Sequence, residues 1–136
     1  MERLLAPWRD YLYAVLRIVT GLLFFCHGMQ KLFGFPGGRA VVTAPLMQTA
    51  GIIELVAGGL IAVGFLAGYA AFIASGQMAV AYFTAHAPGG FFPIVNRGEL
   101  AVVYCFLFLY IAARGAGAMS VEGWRTAERY GVPTKQ

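Results

Sequence analysis

Eight polar residues lie within or beside apolar stretches of this sequence: Arg17, His27, Lys31, Glu54, Gln77, His86, Asn96 and Glu99. A charge in hydrocarbon costs at least ~2.5–3.5 kcal/mol on insertion scales, so such residues face a partner or a cavity. Two histidines, a lysine and carboxylates offer donors, acceptors and a titratable group near neutral pH. That set could hydrogen-bond a small head group and relay a proton to it. No metal site is signalled. Cys26 and Cys105 sit in separate apolar runs with no CxxC, which leaves neither a redox dithiol nor a zinc motif. Axial ligation of one haem needs two histidines at similar depth, and helix rise alone separates His27 from His86 by ~6–9 Å.

Helical periodicity groups these residues. At ~100° per residue, Arg17, Thr20, Phe24, His27, Gly28 and Lys31 fall within an arc of ~80°, a polar stripe that cannot face lipid. Glu54 shares a face with Gly51 and Gly58, and small residues there let another helix approach closely. Gln77 points nearly opposite His86, so an undistorted helix cannot aim both at one narrow site. Depth suggests two ion pairs. Arg17 and Glu54 differ by ~9 Å at 1.5 Å per residue, a gap that a long arginine can bridge. Lys31 and Glu99 share the other boundary. The simpler reading is that such pairs only fix helix register.

The elements that carry these residues are four apolar spans, at about 11–33, 46–66, 69–87 and 98–116. Each approaches the ~20 residues that a helix needs to cross hydrocarbon. Pro36-Gly37-Gly38, Gly64, Pro88-Gly89-Gly90 and Gly115 punctuate them. A short amphipathic helix is expected at about 120–131, with Ser120 as its N-cap and Trp124 suited to a membrane surface. Composition agrees: 60% of the residues are apolar and 12% charged, against ~25% charged in soluble domains. The expectation is an all-α fold in one domain over 1–136, a polytopic membrane protein built as a four-transmembrane-helix bundle with short loops. The net charge of +4 has no basic run with interleaved aromatics, which excludes nucleic-acid binding as the function. Arg3, Arg9, Arg114, Arg125, Arg129 and Lys135 fall at one end, against Lys31, Arg39 and Arg97 at the other. Six against three places both termini in the cytoplasm.

Several motifs resemble the DoxX family. They are Arg17-Ile-Val-Thr-Gly-Leu-Leu-Phe24 with His27-Gly28 and Lys31-Leu-Phe-Gly34, and Glu54 within Gly51–Gly59. Phe92-Pro93 precedes Asn96-Arg97-Gly98-Glu99, and Gly115-Ala-Gly-Ala-Met-Ser-Val-Glu122 is similar to a closing Gly-x-Gly-x-x-Ser-x-Asp, with glutamate in place of aspartate. The resemblance covers about residues 12–122. It implies a four-helix protein of the bacterial plasma membrane. The family takes its name from a small subunit of a membrane thiosulfate:quinone oxidoreductase, and other members are linked to redox complexes. Arg17, Lys31, Glu54, Asn96 and Glu99 match its polar positions.

Three functions follow as expectations. The first is a membrane subunit of a redox or quinone-linked complex, with a polar intramembrane pocket, not catalytic by itself and with a quinone as the ligand to consider. The second is a small dimeric proton-coupled transporter built around Glu54, although Arg17 and Lys31 on the facing stripe would repel cationic cargo. The third is a purely structural assembly partner. Expected partners are the lipid bilayer and either another protein or a second copy of the chain.

Overall fold

The computed structural model describes residues 1–38 and 41–130. All regular elements among them are helical. A short α1 (Glu2–Leu5) and a 3-10 turn (Ala6–Trp8) lead into α2 (Arg9–Phe33). Next come α3 (Pro45–Val63) and α4 (Ala67–Ala81), which continues through a π-helical turn (Tyr82–His86) and a 3-10 turn (Ala87–Gly89). A short α5 (Pro93–Asn96), α6 (Glu99–Arg114) and α7 (Val121–Tyr130) follow. Helices thus occupy the four apolar stretches, and α7 lies in the tail. Arg39 and Lys135, both used in the charge count, and residue 131 of the expected tail lie outside the described residues.

Local chemistry explains the boundaries. Gly34, at φ 71, closes α2 with its N–H on Gln30 O, one residue before the Phe35-Pro36 step expected to stop it. Pro45 opens α3, where its missing N–H costs nothing. The Ser120 hydroxyl caps α7, accepting the Gly123 N–H at 3.0 Å.

The α2–α3 seam is the tightest in the molecule. A Cβ on Gly28 would lie 2.4 Å from Leu55 N, and one on Gly58 would lie 2.4 Å from Phe25 N. Such backbone contact tolerates no side chain, and small residues are what let two helices approach this closely. It also sets an antiparallel register, with Gly21 facing Ala62, Phe25 facing Gly58 and Gly28 facing Leu55.

On α4, Ala67, Ala70, Ala71 and Ala74 are buried, so α3 and α6 pack closely on either side of it. The Ser75 hydroxyl donates to Cys105 O across the α4–α6 seam at 2.8 Å. Phe24 of α2 closes the ring against α6, with ring centroids 4.6 Å from Phe108 and 5.8 Å from Tyr104. Outward faces are apolar: Leu12, Val19 and Leu23 on α2, Phe72 and Val80 on α4, and Val103 and Phe106 on α6 are all exposed. An apolar exterior this continuous is foreign to a soluble monomer. The stretches Glu2–Phe33 and Pro45–Val63 are long and apolar enough to cross a membrane, with mean hydropathy 1.6 and 1.8.

Candidate functional site

The α2–α3 register brings Lys31 beside Glu54. Lys31 Nζ stands 2.5 Å from Glu54 Oε1, with the lysine side chain 24% exposed and the glutamate 2%. From α4, Gln77 Nε2 donates to the same oxygen at 3.0 Å and to Ala50 O at 3.4 Å. Glu54 Oε2 and Gln77 Oε1 are buried and have no hydrogen-bond partner among the described residues. A buried acceptor left alone costs about 1–3 kcal/mol.

Both expected ion pairs are therefore corrected. Lys31 pairs with Glu54 and not with Glu99, which is exposed. Arg17 does not reach Glu54. Its Nη1 donates to Ile61 O at 2.5 Å and to Ala62 O at 2.8 Å, and its Nη2 donates to Met119 O at 2.7 Å and more weakly to Ala118 O at 3.4 Å. Depth counted from each span's ends missed the register that the glycine contacts impose. That register carries Arg17 to the C-terminal end of α3, where unpaired carbonyls and the negative pole of the helix dipole receive a cation.

Arg17 thus anchors the segment after α6, and other contacts join it. The Tyr13 hydroxyl donates to Gly115 O, the Glu122 N–H to Gly64 O at 3.1 Å, and the Ser120 hydroxyl to Gly117 O at 2.6 Å. The closing Gly-x-Gly-x-x-Ser-x-Glu stretch is held as a backbone latch. Glu122 takes part through its main chain.

Beyond Lys31–Glu54 lies a cavity of about 230 Å³, bounded by α2, α3, α4 and α6. His27, Lys31, Glu54, His86 and Arg97 supply its polar wall, and Phe24 and Tyr104 are among its apolar wall. His27 is exposed and meets the Tyr104 ring edge-on at 6.3 Å. His86 reaches the cavity because the chain is π-helical over Tyr82–His86. The wider turn changes the rotation per residue, and this is the distortion needed for α4 and its extension to aim Gln77 at Glu54 and His86 at the cavity. The carbonyl Asn96 O, 3.2 Å from His86 Nδ1, can only accept, so Nδ1 carries a proton and Nε2 faces away from that bond.

Asn96 organises the loop instead of lining the cavity. Its Nδ2 donates to Gly90 O at 2.6 Å, and its Oδ1 accepts the Gly98 N–H at 2.7 Å. That turn holds Arg97 at φ 60 and delivers it to the cavity wall. Gln77 lines a second, lateral groove of about 440 Å³ between α3 and α4, which shares Lys31, Ala81 and His86 with the cavity. Sequence reasoning left Arg97 and Tyr104 out of the site. The adjacent Asn96 was a signal for Arg97, whereas Tyr104 depends on how α6 is rotated. Among the described residues, no three His, Cys, Asp or Glu side chains converge to hold a metal ion.

A family model described as DoxX matches residues 12–87. An uncharacterized protein from Haemophilus influenzae is 44% identical over 125 residues, spanning 87% of this chain and 93% of that relative. No solved structure matches the chain.

Proposed function

The chain belongs to the DoxX family, and from that premise we propose that it is a four-span plasma-membrane subunit of a redox or quinone-linked complex, binding a small head group in the cavity beside Glu54. The apolar exteriors of α2, α3, α4 and α6 support four crossings. The basic asymmetry supports termini on the cytoplasmic side.

One observation carries the binding reading. Glu54 is 2% exposed, has one oxygen held by Lys31 and Gln77, and has the other unpartnered beside an aromatic-lined space. An unpartnered buried oxygen with a cavity against it has the capacity to accept from a ligand. Two ring systems and a charged pair suit a neutral head group with oxygen substituents.

The test is binding of a short-chain benzoquinone–hydroquinone couple to the purified protein in detergent. Lys31→Ala should weaken binding by about tenfold or more, which is ~1.4 kcal/mol. Glu99→Ala, at an exposed position outside the cavity, should bind as the wild type does. Absence of binding by the wild type, or equal losses in the two variants, removes this reading.

A further inference from the structure

We infer that the preferred occupant is a neutral lipophile whose ring head carries a hydroxyl donor and whose apolar tail lies in the α3–α4 groove. The inference rests on the head-group reading above and specifies which chemical form the site prefers. Glu54 Oε2 and Gln77 Oε1 are buried acceptors without a partner among the described residues. Lys31 has spare ammonium protons beyond the one on Glu54. A hydroxyl satisfies both sides, donating to Glu54 Oε2 while accepting from Lys31 Nζ. A carbonyl can only accept, so it leaves Oε2 unpaired in a buried site.

Charge narrows the class further. Lys31 and Arg97 both line the cavity and repel a cationic head. An anionic head, which the two cations attract, has lost the proton that Glu54 Oε2 lacks. A neutral head is what remains, and the Phe24, His27 and Tyr104 rings on the wall favour a flat one. The cavity, at about 230 Å³, is below the ~300 Å³ at which drug-sized ligand pockets begin. It takes the head and leaves the tail outside. The groove of about 440 Å³ meets it at Lys31, Ala81 and His86, and its wall includes the apolar Leu46, Ile53, Ile73 and Val80. An occupant held at Lys31 therefore lies next to an apolar groove along α3 and α4 that can take its tail.

The experiment compares decyl-hydroquinone with decyl-benzoquinone on the wild-type protein under anaerobic conditions, so the central comparison needs no variant. The hydroquinone should bind about tenfold tighter, the cost of one unpaired buried acceptor. Glu54→Gln should erase that preference. Equal affinities, or tighter binding of the benzoquinone, overturn the donor assignment while leaving the cavity as a head-group site. No binding of either form overturns both readings. Ile73→Trp, which fills the groove, should weaken the decyl compound at least tenfold and leave tailless hydroquinone unchanged. If both compounds bind Ile73→Trp as they bind the wild type, the tail does not lie there.

Discussion

Arg17 and Glu54 are both almost fully buried, at 0% and 2% exposure, on the same α2–α3 seam, yet their surroundings differ in kind. Arg17 donates from both terminal nitrogens to four backbone carbonyls, on the end of α3 and on the segment before α7. Glu54 shares a single oxygen with Lys31 and Gln77, keeps the other without a partner, and borders a cavity. A buried charge whose two terminal nitrogens are taken up by main-chain acceptors, with Nε left over, locks a fold. One left half-satisfied beside open space retains capacity for a ligand. The same helix pair therefore carries a structural end and a chemical end, separated by the seven residue steps from Glu54 to Ile61, or ~10 Å of helix.

The strongest test of this contrast is Arg17→Met. It strips donors from the carbonyls at the end of α3 and from Met119 O, leaving the Tyr13 and Glu122 contacts to hold the segment before α7. The expected loss is roughly 3–5 kcal/mol, since each orphaned buried group costs ~1–3 kcal/mol. Denaturant titration of the detergent-solubilised protein measures it, and a loss under ~1 kcal/mol would erase the distinction between the two ends. Glu54→Gln should cost less, about 1–3 kcal/mol, because Lys31 is partly exposed and finds other acceptors. Combined with Arg17→Met, its effect should add to within ~0.5 kcal/mol, as for sites without shared partners. A coupling above that would mean that the two ends communicate through α3. The smallest effect belongs to Asp10→Asn. Asp10 pairs with Arg114 at 2.6 Å but is 68% exposed, and exposed pairs contribute less than ~1 kcal/mol. A melting temperature indistinguishable from wild type is expected, and a larger loss would add a second structural lock beside Arg17.

Much of this was legible in the chain. The polar stripe on α2 shows through its ~100° periodicity, and Glu54 stands out as a carboxylate flanked by Gly51 and Gly58. The incompatibility of Gln77 with His86 on a straight helix also follows from residue spacing, and it anticipates a distortion near one of them. The partners were not legible. Lys31 was assigned to Glu99, and Arg17 to Glu54, because depth was counted from span ends.

Composition and periodicity are properties of single helices, so the sequence alone determines that the chain is helical, that its long helices are apolar and which polar side chains share a face. Pairing is a property of two helices at once. Only the packed structure decides it, through the backbone approach of Gly28 to Leu55 and of Phe25 to Gly58, which slides α3 along α2 until Lys31 meets Glu54. The π turn at Tyr82–His86 likewise depends on tertiary contacts, because a wider turn is held only where a partner such as Asn96 O receives the redirected side chain.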